Sequence, residues 1–107
     1  MVGESISTKI IDDIKRLVAT LQKENIHIER AILFGSYATG TNHKFSDIDV
    51  ALASPDFSGI RYLDNKKISA TKLFINSNFE THPFTPEDFA DSPFVRDEIL
   101  KHGIEIH

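Results

Sequence analysis

The chain has 107 residues, 40% of them hydrophobic and 26% charged, with no cysteine and a formal charge of −4. That length supports one core and leaves no room for a second catalytic domain, while the acidic balance argues against duplex DNA or an anionic membrane as the main partner. Without cysteine there is no disulfide framework or thiolate metal site, and no stretch approaches a signal sequence or the roughly 20 apolar residues of a membrane span, so the expectation is a soluble cytoplasmic protein of one domain, residues 1–107.

In chain order, Ile6, Ile10, Ile11, Ile14, Leu17, Val18 and Leu21 recur at steps of three and four. This spacing predicts an amphipathic helix from about residue 5 to 24, with Ser5 or Ser7 as its cap. The stretch "HIERAILFG", from His27, then predicts a strand with Ile28, Arg30, Ile32 and Phe34 on one face and Ala31 and Leu33 on the other, and two mostly apolar faces imply burial on both sides. A Gly-bearing loop follows, then a second strand, "SDIDVALA", ended by Pro55, Asp56, Ser58 and Gly59. The stretch "GIRYLDNKKISATKLF" fits either a short helix or a mobile loop. "FINSNFETHPF" predicts a third strand ending at Pro83. Thr85 with Pro86 and Ser92 with Pro93 each join a capping side chain to a proline suited to the first helical position, which predicts two short helices, the second closed by Gly103. The closing "IEI" suits an edge strand. Helix, strand, strand, strand, helices make an α/β or α+β domain: a small mixed β-sheet with flanking helices.

The second strand carries an oddity. Side chains at i and i+2 share a face, so Asp47 and Asp49 point together while Ile48 and Val50 enter the core. Two carboxylates in one place repel unless a cation or a shared proton relieves them. A divalent ion is the plain remedy, and hard oxygen ligands suit Mg²⁺ or Mn²⁺ held together with substrate phosphates. A D-x-D on an exposed strand would look the same, so the loop before it matters. Gly35 lets backbone approach a ligand closely, and Ser36 at the start of a short helix offers a hydroxyl and an N–H to a phosphate oxygen. The lysine of a Walker loop is missing after Gly40, and no G-x-G-x-x-G is present. A phosphate loop joined to a carboxylate pair points to a nucleoside triphosphate.

"GSYATGTNHKFSDIDVAL" resembles the G-S-x-x-x-G and S-D-x-D signature of the nucleotidyltransferase superfamily related to DNA polymerase beta. With the lead-in "HIERAILFGSYATG" and the later "FETHPF" and "ILKHGIEI", the chain looks like the minimal nucleotidyltransferase (MNT) branch, often found beside HEPN-domain partners. The resemblance implies that Gly35 and Ser36 bind the triphosphate of ATP and that Asp47 and Asp49 hold two Mg²⁺ ions. It also implies a third carboxylate on a later strand. Glu80 is the only carboxylate between Asn65 and Pro86 and is the candidate third ligand and proton acceptor. Lys44 is placed beside the phosphates, where Arg61, Lys66 and Lys67 would also add charge, although a solvated surface suits each of them better. His43 and His82 show no metal-ligand spacing with another histidine. The aromatic set Phe34, Phe74, Phe79, Phe84, Phe89 and Phe94 is assigned to the core.

Three functions stay open from the sequence. The resemblance implies transfer of AMP to a hydroxyl of a partner protein, as the antitoxin of a HEPN/MNT pair. The alternatives are nucleotidyl transfer to a small molecule, for which the chain lacks an added acceptor domain, and a non-catalytic antitoxin acting by contact. A domain this small with apolar helix faces also suits pairing with itself.

Overall fold

The apolar stripe of the first helix is realised over Thr8–Lys23 (α1), which buries Ile14, Leu17, Val18 and Leu21. Each such side chain contributes about 1.5–3 kcal/mol when removed from water. The computed structural model describes residues 8–107, so the expected caps Ser5 and Ser7 lie outside the described residues. Asn25, with a positive φ of 68°, turns the chain out of α1.

The first strand is shorter than "HIERAILFG" suggests: β1 is Arg30–Phe34. The reason lies upstream, where the His27 N–H donates to Asp56 Oδ2 at 2.7 Å and so lies outside the ladder. After the four-residue helix Ser36–Thr39 (α2) comes β2, Ile48–Ala53. The ambiguous stretch is neither a short helix nor a loop but a long helix, Arg61–Ile75 (α3). It leads to β3, Phe79–Phe84, then to Pro86–Asp91 (α4). In α4 the Thr85 hydroxyl accepts the Asp88 N–H at 3.1 Å, and Pro86 takes the first turn as expected. A last helix, residues 93–102 (α5), is π-helical over Val95–Leu100, and Ile104–Glu105 forms β4.

The four strands lie in the order β3-β2-β1-β4. β1 runs antiparallel to β2 and β4, and β2 runs parallel to β3. A parallel pair cannot be closed by a hairpin, and α3 supplies the crossover. Ala31 and Leu33 with Ile48, Val50 and Leu52 face α1 and α3, where they join Ile14, Leu17, Leu21 and Ile68. Ile32 and Phe34 with Ala51 and Ala53 face the other way, onto Phe89, Val95 and Ile99. Helices therefore cover both faces of a small mixed sheet. No helix among the described residues is long and apolar enough to cross a membrane.

Candidate active site

The second face of the sheet ends in polar residues instead of core. Phe34 pairs with Asp49 across β1 and β2, and Asp49 pairs with Glu80 across β2 and β3. Register therefore places the Asp49 and Glu80 side chains next to each other on one face. His82, two residues on from Glu80, shares that face, and one donor atom from each of Asp49, Glu80 and His82 lies within 4.8 Å of the other two. Asp47 precedes β2, is exposed, and makes no hydrogen bond or ion pair among the described residues. The structure brings Asp49 and Glu80 together and leaves Asp47 at the strand's leading end.

His82 was not selected by sequence reasoning, which sought a second histidine. What places it is the E-x-H spacing on one strand face. Its Nε2 lies 3.0 Å from Asp49 Oδ1, and its Nδ1 lies 2.8 Å from Arg61 Nη2. A guanidinium only donates, so Nδ1 must accept and the proton of the neutral ring sits on Nε2, donating to Asp49. In this arrangement His82 orients Asp49 and is not itself offering a lone pair to a cation. The ring is held by Phe34, edge-on with centroids 4.8 Å apart. Glu80 is half-exposed, with Oε2 3.9 Å from His82 Nε2.

Gly35 completes the arrangement from the β1 side. Its φ of 75° and ψ of −155° fall in a region that essentially only glycine occupies. A Cβ there would collide with Asp49 Oδ2. Thus one oxygen of Asp49 is engaged by His82 and the other lies against the glycine backbone. Ser36 opens α2, and its hydroxyl makes no hydrogen bond among the described residues. Lys44 lies in the exposed turn before β2 with its ammonium 5.5 Å from the Phe45 ring centroid. On the far side, Glu80 borders a cleft of about 380 Å³ whose walls include Arg61, Tyr62, Asn65, Lys66 and Lys72.

Two carboxylates and a glycine-backed loop at the ends of neighbouring strands are an arrangement for handling phosphate, and the family comparison agrees: the nucleotidyltransferase domain profile matches residues 11–106. The chain belongs to the nucleotidyltransferase domain family. This nucleotidyltransferase is 26% identical over 98 residues to a Methanocaldococcus jannaschii protein provisionally named a protein adenylyltransferase, covering 92% of this chain and 96% of that one. Its fold matches a provisionally assigned nucleotidyltransferase from Sulfolobus solfataricus with a TM-score of 0.62 at 19% identity, over 97% of this chain and 84% of that one. It also matches a toxin-antitoxin structure solved with AMP-PNP, with a TM-score of 0.60 at 23% identity, over 91% of this chain and 72% of that one. A variant of the toxin-antitoxin pair MntA-HpeT gives 0.57 at 21% identity, over 91% and 72%. The nucleotidyltransferase is thus similar to MNT-type proteins in fold, and it is an enzyme of the transferase class.

The family implies a divalent cation, and the residues fit one. Asp49 and Glu80 offer hard oxygen donors within 4.8 Å of each other, and the His82 hydrogen bond fixes one oxygen of Asp49 in the manner of a group that orients a ligand.

Proposed function

We propose that this nucleotidyltransferase transfers AMP from ATP to a hydroxyl of a partner protein in a Mg²⁺-dependent reaction that Mn²⁺ also supports. It would act in the cytoplasm as the antitoxin of a pair whose other member is a HEPN-domain protein encoded nearby. The observation that carries this reading is the register of Asp49 beside Glu80, with Gly35 closed against the same Asp49 carboxylate. The provisional name of the M. jannaschii relative supports a protein acceptor, and the toxin-antitoxin neighbours support a partner.

Asp47, Asp49 and Glu80 would hold two ions, which when bound supply charge neutralisation on the triphosphate and acidify the acceptor hydroxyl. The protein's own groups divide the remaining work. His82 holds Asp49 Oδ1 and keeps the carboxylate from rotating. Gly35 keeps side-chain bulk out of the path of the phosphates, Ser36 donates its hydroxyl to a phosphate oxygen, and Lys44 swings its exposed ammonium toward the same group. Glu80 takes the acceptor's proton. The acceptor oxygen then forms its bond to the α-phosphorus as the bond to pyrophosphate breaks. Glu80 borders the basic cleft on the β3 side, so the acceptor approaches there while the triphosphate lies toward β1.

ATP radiolabelled at the α-phosphate, supplied with Mg²⁺, cell extract and any adjacently encoded protein, tests this reading. The expected result is a labelled protein band with wild type and none with Asp49→Asn. Equal labelling by both proteins removes Asp49 from the reaction. Tight partner binding by both proteins without any labelling makes the protein a contact antitoxin.

A further inference from the structure

Beyond the catalytic face, one cavity shares a wall with it. It measures about 360 Å³ and is lined by Phe34, Gly35, Thr39, Phe94, Glu98 and His102. That volume falls within the range of small-ligand sites, about 300–1,000 Å³. We propose that this cavity is the nucleobase pocket and that it selects adenine. The proposal rests on the nucleotidyl-transfer reading above, and it names the site that would hold the base of ATP and the residues that would read it, which that reading leaves open.

Position is the first argument. Gly35 belongs both to this cavity and to the catalytic cluster, because its Cα backs onto the Asp49 carboxylate. A nucleotide with its phosphates beside Gly35 can place its base here, on the opposite flank of Asp49 from the cleft that Glu80 borders.

The second argument is the last helix. Phe94 is 49% exposed, a large ring left outside the core, and meets Phe34 edge-on with centroids 6.1 Å apart. About half of the side chain is therefore open to solvent, as a stacking platform requires. Phe94, Glu98 and His102 follow at intervals of four. That spacing keeps side chains on one helix face, all three line the cavity, and the row runs through the π-helical Val95–Leu100, a kind of turn that recurs at functional sites. Glu98 and His102 make no hydrogen bond or ion pair among the described residues, so both heads are available to a ligand.

Chemistry selects the base. The adenine edge presents an amino donor at N6 beside an acceptor at N7, whereas guanine presents two acceptors there. A carboxylate only accepts and an imidazole N–H donates, so Glu98 takes the N6 amino group and His102 donates to N7. Guanine would set its O6 against the Glu98 carboxylate. Cytosine offers an amino group but one ring fewer to stack on Phe94.

Calorimetry with Mg²⁺ separates these contributions, using ATP, GTP and inorganic tripolyphosphate on wild type, Phe94→Ala, Phe94→Tyr and Glu98→Gln. Wild type should bind ATP at least about tenfold more tightly than GTP. Phe94→Ala should weaken ATP by about tenfold while leaving tripolyphosphate within about twofold, and Phe94→Tyr should restore ATP binding. Glu98→Gln, whose amide can donate to O6, should erase the preference over GTP. Unchanged ATP binding in Phe94→Ala, or equal losses of ATP and tripolyphosphate, overturns the pocket. So does wild type binding ATP no better than GTP or tripolyphosphate, an outcome that leaves nucleotidyl transfer standing. Wild type binding neither ATP nor tripolyphosphate overturns the nucleotidyl-transfer reading itself, and this pocket with it.

Discussion

The two oxygens of Asp49 face different neighbours, His82 on one side and the Gly35 backbone on the other. Gly35→Ala should therefore fail twice. The backbone conformation alone costs about 1–3 kcal/mol for any other residue, and the added methyl displaces the Asp49 carboxylate. The expected result is a lower urea midpoint together with transfer lost even where the variant remains folded. Wild-type transfer by folded Gly35→Ala would show that Asp49 need not hold its position. At this scale the sequence was informative where chemistry is local: alternation on the strand singles out Asp49, and the third carboxylate that the resemblance implies can only be Glu80 between Asn65 and Pro86. His82 was not legible because its role depends on Arg61, 21 residues away, whose donor-only guanidinium fixes the ring. Lys44 and Asp47 also follow the motif in the chain, but the cluster itself comprises Asp49, Glu80 and His82, and the Lys44 ammonium lies over the Phe45 ring.

Among the elements, α3 shows how a helix can hide. Its buried positions are Asp64, Ile68, Thr71 and Ile75, spaced four, three and four as a helix requires. Two of the four are polar, while Tyr62, Leu63, Leu73 and Phe74 are exposed, so hydropathy does not trace the inner face. The polar pair is satisfied by tertiary bonds that no local pattern reveals. Asp64 accepts the Ser58 N–H at 2.8 Å, the Ser58 hydroxyl at 2.9 Å and the Gly59 N–H at 3.0 Å, and the Thr71 hydroxyl donates to the Glu24 carboxylate at 2.8 Å. Asp64→Ala should cost about 1–3 kcal/mol by stranding the donors of the preceding loop. Because Arg61 opens the same helix, the variant should also loosen His82 and lower transfer at temperatures where it stays folded. An unchanged denaturation midpoint would show that solvent satisfies those donors equally well. The helices marked by Thr85 with Pro86 and by Ser92 with Pro93 were readable because their caps are local, whereas the π-helical turn has no comparable signature.

For the molecule as a whole, strand composition announced a sheet covered on both faces, but strand order waited on α3, whose crossover makes β2 and β3 parallel. The covering layer is then tied by polar groups as well as by Leu and Ile. Asp13 is 3% exposed, receives Lys9 Nζ at 2.8 Å, and accepts Asn76 Nδ2 at 3.1 Å, joining α1 to the turn between α3 and β3. The Lys9 hydrogen bond, aided by Asn76, holds the Asp13 carboxyl below its ordinary value of 3.8 against the opposing effect of burial. Glu105 is likewise held below 4.5, chiefly by its hydrogen bonds from Arg30, though it is more exposed and better screened. A carboxylate depressed in the folded state binds protons more readily when unfolded, so its contribution is present above the ordinary value and lost as pH falls through the folded one. Asp13→Asn should then be less stable than wild type at neutral pH by about 1–3 kcal/mol, since a charged acceptor is replaced by a neutral one. The difference should shrink as pH drops below 3.8, where wild type loses the same charge. Urea midpoints measured from pH 7 down to about pH 2.5 provide the test. A gap that stays constant across that range would mean that the Asp13 charge contributes nothing and that the shape of the side chain alone secures α1.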